Sequence, residues 1–291
     1  MTLDQLRIFV AVAERQHVTR AAEALNLAQS AVSAAVSTLE ARHGTKLFHR
    51  VGRGIALTQA GTLFLGEARA VLARAAAAEL ALAELGGLTR GTLAVTASQT
   101  IAGYWLPRHL VAFRGRHPGI VIRLAVGNTA EVAAAVLAGT ADLGFVEGAH
   151  ADPMLVDRRV ARDQLIVVVA PGHPWAGRQD LSGAEAAAGE WVLREPGSGT
   201  RSAFEGALAA RAPGTALRVA LELPSNEAVR GAVEAGLGAT AISASVAAPS
   251  LEAGLLVRVG LALPPRDFTA IHHAEREPSR AAEALLALVR G

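Results

Sequence analysis

The feature that most constrains the fold of this chain is residues 18–58, where two short helical patterns joined by a tight turn precede a small basic hairpin. Residues 51–54 form the predicted turn of that hairpin, because glycines flank its one arginine. This order of elements is typical of a winged helix-turn-helix, which places a helix in the major groove of DNA. The sequence therefore predicts an N-terminal all-α winged module that reads DNA.

Capping residues set the expected helix ends in this module. Residues 2–5 (TLDQ) fit a capping box at the start of the first helix, and Thr19 is the predicted N-cap of the second. Asn26 tolerates the left-handed conformation that ends the second helix, and Gly44 ends a third helix expected over residues 29–43. Three helices and a hairpin are thus expected before residue 59.

Charge is distributed unevenly along the 291 residues. The whole chain has a formal net charge of +2, whereas residues 1–58 hold seven Arg and Lys against four acids, a net charge of +3. A basic end on a near-neutral body favours a local contact with a polyanion. The absence of cysteine excludes disulfides, thiolate metal sites and cysteine nucleophiles.

Length and hydropathy give the expected size class and compartment. At 291 residues, with 51% hydrophobic and 19% charged residues, the chain suits two or three packed domains. The start, MTLDQLRIFV, lacks the basic region and apolar core of a signal peptide, and no apolar run reaches membrane-spanning length. We therefore expect a cytoplasmic protein with no membrane partner.

A long helix follows the hairpin, from its N-cap Thr58 to about Leu85, where two glycines end it. Its apolar residues are spaced alternately four and three apart in a heptad seam: Phe64, Ala68, Val71, Ala75, Ala78, Leu82 and Leu85. At 1.5 Å per residue the helix is roughly 40 Å long. The seam predicts dimerisation, and the alternative is an amphipathic helix packed on its own domain.

From Gly91 onward, predicted strands and helices alternate, which indicates an α/β fold with mostly parallel sheets. Strands are expected over 92–97, 120–126, 142–146, 164–170, 191–194, 216–223, 239–243 and 268–272. Helices are expected from the end of the first strand to 116, over 129–138, from 200, over 226–235 and over 278–289. About 200 residues of this pattern fit two small doubly wound lobes better than one.

An ordered set of residues carries a resemblance that covers the whole chain. The set is LRIF at 6–9, TRAAEAL at 19–25, QSAVS at 29–33, LE at 39–40, LFHR at 47–50 and LTQAG at 57–61. In these residues the chain resembles the LysR-type transcriptional regulators. Two further stretches, SQTIAGYWLP at 98–107 and REPGSGTR at 194–201, are similar to a narrower branch that regulates sulfur assimilation and carbon dioxide fixation genes.

The resemblance implies a domain order and a set of partners. A winged helix-turn-helix is expected over 1–58, a dimerising linker helix over 59–89 and a two-lobed doubly wound α/β effector domain, similar to periplasmic binding proteins, over 90–291. Lobe 1 is expected at about 90–160 and 268–291, and lobe 2 at about 161–267. The family binds promoter DNA as homodimers or homotetramers and senses small effectors, and RNA polymerase is a further candidate partner.

The third helix should present its early turns to the major groove. Gln29 can bond adenine, and Ser30 can reach bases or phosphates, whereas Ala28 cannot cap the helix and costs about 1 kcal/mol. Ala34 lies where the family often has Arg or another polar residue, which favours methyl contact to thymine or DNA shape over hydrogen-bonded base readout. The predicted DNA-binding residues are Arg20, Gln29, Ser30, Ser33, Ala34, Ser37, Arg50 and Arg53. Solvated helix faces and surface charges are the alternative for each.

In the body, hydroxyl residues follow strands and open helices in two places, residues 98–100 and 198–200. Backbone N–H groups and hydroxyls at a helix N-terminus suit an anion. The predicted effector-binding residues are Ser98, Gln99, Thr100, Ser198, Gly199, Thr200, Ser225 and Asn226. An inorganic oxyanion and a small carboxylate suit them equally, and the alternative is ordinary capping, which we favour for Ser225.

Catalytic, cofactor and metal motifs are not evident. Residues 236–241 match G-x-G-x-x-A but lie after a helix and before a strand, the wrong order for a dinucleotide. His272 and His273 are adjacent, so on a strand they point to opposite faces and do not share an ion. We expect no enzyme activity, no cofactor and no metal.

The leading hypothesis from the sequence is a ligand-responsive transcription regulator that binds DNA. A solute-binding protein or enzyme with an accessory helical domain explains the two lobes but not the basic hairpin. A nucleoid-type architectural binder is the third alternative, and sequence-independent DNA binding without a ligand response would favour it.

Overall fold

The structure is a computed structural model that describes residues 1–51, 54–84, 91–148, 152–214 and 216–290, with the backbone alone at 77 and at 79–84. The chain divides into two compact units. The first contains α1 (Leu3–Arg15), α2 (Val18–Leu25), α3 (Gln29–His43), β1 (Phe48–Val51), β2 (Gly54–Leu57) and α4 (Gln59–Glu84). These bounds agree with the predicted winged helix-turn-helix and long helix to within a few residues.

The core of the first unit is aromatic. Phe9 of α1 is fully buried and packs against Phe48 of β1 and Phe64 of α4, with ring centroids 5.4 and 4.9 Å apart. Val32 and Leu39 face inward from α3, as the apolar spacing predicts. The three helices and the wing therefore pack through two apolar clusters, and Phe48 of the wing contacts both.

Most predicted caps of this unit are confirmed, and one is wrong. The capping box of Thr2 and Gln5 is present, and Asn26 and Gly44 adopt the left-handed conformation. The N-cap of α2 is His17, not Thr19, because Nδ1 of His17 accepts the backbone N–H of Arg20 at 3.4 Å. An unprotonated imidazole nitrogen can serve as a cap acceptor, although Ser and Thr are the commoner choice.

Helix α4 packs partly on its own unit, so the alternative interpretation of its seam holds for the first three turns, up to Ala68. Gly61 N–H donates to the hydroxyl of Thr58, which confirms the predicted cap. Ala68 is fully buried in the cluster around Phe9, and its prediction as a contact to a second chain was wrong. Val71 is 42% exposed. Leu82 lies where only the backbone is described, and Leu85 lies outside the described residues.

The second unit contains the remaining helices and strands. In chain order they are β3 (Gly91–Ser98), α5 (Gln99–Tyr104), α6 (Leu106–Arg116), β4 (Ile120–Gly127), α7 (Thr129–Leu137), β5 (Leu143–Glu147), β6 (Leu155–Val169), α8 (Gly183–Ala188), β7 (Glu190–Arg194), α9 (Gly199–Ala209), β8 (Arg218–Leu223), α10 (Asn226–Glu234), β9 (Ala239–Ser243), α11 (Ala244–Glu252), β10 (Val257–Val259), β11 (Pro265–His273) and α12 (Arg280–Arg290).

Two lobes arise because β6 and β11 run antiparallel through one continuous sheet of order β4-β3-β5-β11-β6-β9-β7-β8, with β10 paired to β6. Lobe 1 holds β3, β4 and β5, and lobe 2 holds β7, β8, β9 and β10. Pairs β3/β4, β3/β5, β7/β8 and β7/β9 are parallel, as predicted. The prediction of mostly parallel sheets was wrong for β6, β10 and β11, whose described pairings are all antiparallel.

One helix prediction and one strand prediction differ from the structure. The expected single helix ending at Arg116 is two helices, because Trp105 leaves the helical conformation and Pro107 lies in the first turn of the second helix. Strand β6 begins at Leu155, nine residues before the expected Gln164. Residues 155–163 (LVDRRVARD) contain five charged residues in no strand-like alternation, and pairing with β11 holds them in the sheet. The helices α8 and α11 and the short strand β10 were also not predicted.

Separate apolar clusters fill the two lobes. Lobe 1 buries Phe113, Phe145 and Leu285 between its sheet and α6 and α12. Lobe 2 buries Trp191 and Phe204, whose ring centroids are 4.4 Å apart. Packing of these clusters fixes the strand ends in both lobes. The polar residues that follow the strand ends therefore have defined positions.

Candidate functional site

The exposed face of α3 carries the residues predicted to read DNA. Gln29, Ser30, Ser33, Ala34 and Ser37 are all exposed, whereas Val32 and Leu39 of the same helix are buried. Ala28 is the N-cap and makes no side-chain hydrogen bond, as its methyl group requires. The face therefore has short polar side chains and no charge of its own.

Cations flank that face. Arg20 of α2 and Arg50 of β1 are exposed, and neither has a carboxylate oxygen within 4 Å among the described residues. Lys46, in contrast, is paired with Glu40 at 2.6 Å. Arg53 lies outside the described residues. Arg20 and Arg50 thus keep their charge available to a polyanion.

Glu40 ties α3 to the wing. Its buried carboxylate accepts the backbone N–H groups of Leu47 and Phe48 at 2.9 and 3.2 Å, in addition to the ammonium group of Lys46. Burial acts to raise the pKa of Glu40, but these hydrogen bonds outweigh it and hold the pKa below its ordinary value. The wing is therefore held to the reading helix by a charged group.

The polar residues of the second unit meet where parallel strands end. In lobe 1 the strand order β4-β3-β5 places the end of β3 (Ser98) beside the end of β5 (Glu147). In lobe 2 the strand order β8-β7-β9 places the end of β7 (Arg194) beside the end of β9. Each is the switch point of a doubly wound sheet, where such folds bind ligands. The predicted residues Ser98, Thr100, Ser198, Thr200 and Asn226 are all at least 97% buried there.

The carboxylate of Glu147 connects the two lobes at this buried polar site, which we call the cleft. It accepts a hydrogen bond from the hydroxyl of Ser98 in lobe 1 and one at 3.4 Å from the hydroxyl of Thr200 in lobe 2. The residue is 2% exposed. We call Ser98, Thr200 and Arg266 the cradle, because all three face this one carboxylate.

Arg266 supplies the positive charge of the cradle. Its Nη1 donates to Thr200 Oγ1 at 2.9 Å and lies 3.7 Å from Glu147 Oε1. Its Nε and Nη2 lie 2.8 and 2.7 Å from Oδ2 of Asp163, the residue directly opposite on β6. Ser243 donates to the other oxygen of Asp163 at 2.7 Å. One guanidinium therefore serves two buried carboxylates.

A second set of polar residues links the two lobes beside the cradle. The Gln99 amide donates to Pro224 O at 2.8 Å and accepts the Asn226 N–H at 3.0 Å. The Asn226 amide donates to Thr100 at 3.1 Å and accepts from Arg194 at 2.8 Å. Ser225 accepts from Ala228 N–H, so the capping interpretation favoured for this residue is confirmed.

Arg194 is the cation of this second group. It is 4% exposed and forks onto the neighbouring Glu195 with two 2.8 Å hydrogen bonds. Burial acts to raise the pKa of Glu195, but Arg194 and the amide of Asn128 outweigh it and hold the pKa below its ordinary value. The Nε and Nη2 atoms of Arg194 therefore bond Glu195, and its Nη1 bonds Asn226.

Gly199 lets the lobes approach closely. A Cβ at this position would overlap the carbonyl oxygen of Glu147, and that carbonyl also accepts from Thr129 at 2.8 Å. Ser198 caps α9 by accepting from Arg201 N–H at 3.5 Å, so its hydroxyl serves the helix rather than the cradle.

The sequence analysis missed Glu147, Arg266, Asp163 and Arg194. A sequence signal existed for Glu147 alone: a lone acid follows the apolar run LGFV and precedes a glycine, which marks a strand end. The predicted helix-to-strand turn at Gly236 is confirmed. Gly236 and Gly238 form a helix-to-strand turn with positive φ, and no group of three metal-ligating residues occurs in the described part of the chain.

Sequence comparisons match both units to one family. The profile of the bacterial regulatory helix-turn-helix proteins of the lysR family matches residues 3–62, and that of the LysR substrate binding domain matches residues 86–291. The HTH-type transcriptional regulator YeiE of Escherichia coli K12 is 36% identical over 288 residues, covering 98% of this chain and 96% of the relative. CbbR of Rhodospirillum rubrum is 32% identical and covers 99% and 95%.

Solved structures show the same architecture. Full-length CbnR complexed with its target DNA has a TM-score of 0.71 at 25% identity and covers 100% of this chain and 99% of that one. The regulatory domain of CcmR from Synechocystis PCC6803, in complex with 2-PG, has a TM-score of 0.63 at 26% identity and covers 69% and 96%.

A basic helix-turn-helix head and a two-lobed domain with a polar cleft define a ligand-responsive DNA-binding regulator. The chain belongs to the LysR family of transcriptional regulators, as its family profiles show over nearly the whole length. The resemblance noted from the sequence is confirmed, and the relatives are regulators rather than enzymes. No described helix is both long and apolar enough to cross a bilayer.

Proposed function

We propose that this regulator senses a small anion, an inorganic oxyanion or a small carboxylate, bound in the cradle between the lobes. The observation that carries the proposal is that Ser98, Thr200 and Arg266 already surround one carboxylate, that of Glu147. Two hydroxyl donors and a guanidinium suit any compact oxyanion. The bound 2-PG of the related CcmR regulatory domain supports an anion in this domain type.

The anion acts on DNA binding through the two lobes. Ser98 and Thr200 lie in different lobes, so an anion bound to both stabilises one lobe arrangement over another. Coupling of the anion to DNA binding requires that the anion bind the two lobe arrangements with different affinities. We propose that α3 and Arg20, Arg50 and Arg53 contact promoter DNA, in chains paired through the exposed part of α4.

Assembly and surroundings follow from the family. We propose a cytoplasmic homodimer that pairs again to a homotetramer, with duplex DNA, the anion and RNA polymerase as partners. Its reading helices would enter major grooves one helical turn (~34 Å) apart or a multiple of it. A footprint on promoter DNA without dyad symmetry would contradict this arrangement.

The proposal is tested on the full chain with the double variant Ser98→Ala/Thr200→Ala. Sulfate, phosphate and acetate are titrated against the wild type in thermal shift, with chloride at matched ionic strength as the reference, since a bound ligand stabilises by mass action. We expect a stabilising anion for the wild type and none for the double variant. Ser182→Ala, which removes a cap outside the cleft, is the matched control and keeps the response.

The same variants are measured on promoter DNA. Without anion, the double variant should bind DNA as the wild type does, because the cradle lies in the second unit. With anion, only the wild type and Ser182→Ala should change their DNA affinity. An unchanged response in the double variant would place the effector elsewhere.

A further inference from the structure

We infer that Glu147 is a built-in competitor of the effector: its carboxylate occupies the effector's place in the cradle, and binding exchanges one anion for another. This inference rests on the proposed anion site. The carboxylate of Glu147 receives the hydroxyls of both lobes, Ser98 and Thr200, and faces Arg266 at 3.7 Å. These are the same donors that an oxyanion would use.

Charge in the cleft argues for exchange rather than addition. Arg266 is shared between Glu147 and Asp163, so these three groups sum to a charge of −1 when the acids are ionised. Arg194 is matched by Glu195. An anion that entered beside Glu147 would therefore meet no unshared cation among these described cleft residues, at a site where buried charges need a partner.

The exchange leaves the backbone of Glu147 in place. The backbone of Glu147 is fixed, because its carbonyl accepts from Thr129 at 2.8 Å and β5 pairs with β11 at Phe268. Gly199 packs against the same carbonyl. The side chain is held by its bonds to the cradle, so an incoming anion that takes over these bonds releases it while the strand end stays in place.

The exchange also sets the class of effector and its apparent affinity. The incoming group must be as compact as a carboxylate, because the cradle residues are at least 93% buried around Glu147. Its apparent affinity is the intrinsic affinity multiplied by the fraction of molecules in which Glu147 has already left the cradle. The resident carboxylate thus gives the regulator a threshold concentration of anion.

The test is chemical rescue in the full-length protein. Glu147→Ala leaves a carboxylate-sized space lined by Ser98, Thr200 and Arg266, which acetate fits. We expect acetate and sulfate to bind this variant at least tenfold more tightly than they bind the wild type, as measured by titrated thermal shift against chloride. The variant Glu147→Ala/Thr200→Ala, which also lacks the lobe 2 donor, should lose this gain.

Glu147→Gln is measured in parallel. It keeps the volume of the side chain and removes only its negative charge, so it tests the inference even where the alanine variant folds poorly. We expect it to bind sulfate more tightly than the wild type as well. Equal affinity of the wild type and both variants for the same anion would overturn the inference but leave the proposed anion site standing. No stabilisation of any variant by any anion would overturn both.

Discussion

Single residues in this protein are fixed by contacts from distant parts of the chain. Gly199 is the clearest case, because it is required by a close approach and not by an unusual φ: a Cβ there would overlap the backbone of Glu147, 52 positions away in the sequence. Arg266 is equally constrained, since removing it would leave Asp163 and Glu147 buried without their shared cation. Neither requirement is visible in the local sequence.

Gly199→Ala should destabilise the second unit by roughly 1–3 kcal/mol or more, since overpacking moves backbone rather than a flexible side chain. Gly206 lies in the same helix with nothing within 4 Å of its would-be Cβ, so Gly206→Ala is the matched control. The control should gain about 0.5–1 kcal/mol from helix propensity. Urea unfolding of both variants measures the difference, and a neutral Gly199→Ala would disprove the close approach.

At the scale of elements, the linkage of α3 to the wing depends on an ionised side chain. Glu40 has a lowered pKa in the folded state, so its stabilisation is full above its unfolded pKa and is lost as the pH falls through the folded value. The relevant window therefore lies in the acid range, below its ordinary value of 4.5. At neutral pH the wing is held in place.

Glu40→Gln should lower the unfolding free energy of the first unit by about 1–2 kcal/mol at pH 7, because hydrogen bonds to a charged group are lost or weakened. The difference from the wild type should shrink as the pH is lowered through the acid range below 4.5, because Glu40 of the wild type becomes protonated too. Denaturant unfolding followed at several pH values measures it. A difference that stays constant with pH would show that charge is not what Glu40 contributes.

Helix α4 presents a narrower free face than its heptad spacing indicates, because Ala68 is buried against α1 whereas Val71 is 42% exposed. If the free face pairs two chains, Val71→Arg should weaken the dimer by at least tenfold, since it buries an unpaired charge in an apolar seam. Glu67→Arg changes an exposed charge on the same helix and should leave the dimer intact. Sedimentation at graded concentrations separates the two, and an unchanged dimer would remove α4 from the interface.

At the scale of the whole molecule, the division of charge gives each unit a different task. Residues 1–58 carry a net charge of +3 in a chain of net charge +2, so the rest is close to neutral. The second unit instead buries paired charges around the cleft, Arg194 with Glu195 and Arg266 with two carboxylates. DNA affinity should therefore depend on salt through the first unit alone.

Arg50→Ala should weaken binding to all DNA sequences alike and reduce the salt slope of log affinity by about 1, because one phosphate contact is lost. Arg116→Ala removes an exposed arginine of lobe 1 and should leave both quantities unchanged. Binding is measured by fluorescence anisotropy on promoter and scrambled duplexes between low and moderate salt. A loss confined to one sequence would mean that Arg50 reads bases instead.

Local patterns were enough to predict the head, its three helices and hairpin, the long helix and the α/β alternation of the body. Apolar spacing and capping act within a few residues, so Thr2, Asn26 and Gly44 could be assigned from the sequence. His17 could not, because imidazole is a rare cap whose role depends on the orientation of its ring. The strand over residues 155–163 could not be predicted, because the strand that pairs with it lies about a hundred residues further along the chain.

The sequence by itself determined which residues are small, polar and placed at helix starts, and these include Ser98 and Thr200. The tertiary structure decided what they bind within the chain. Glu147 is 49 residues from Ser98 and 53 from Thr200, and Arg266 is 66 from Thr200. Side chains so far apart meet only because parallel strands end at a common edge and two crossing strands bring the lobes together, a consequence of topology that no local pattern encodes.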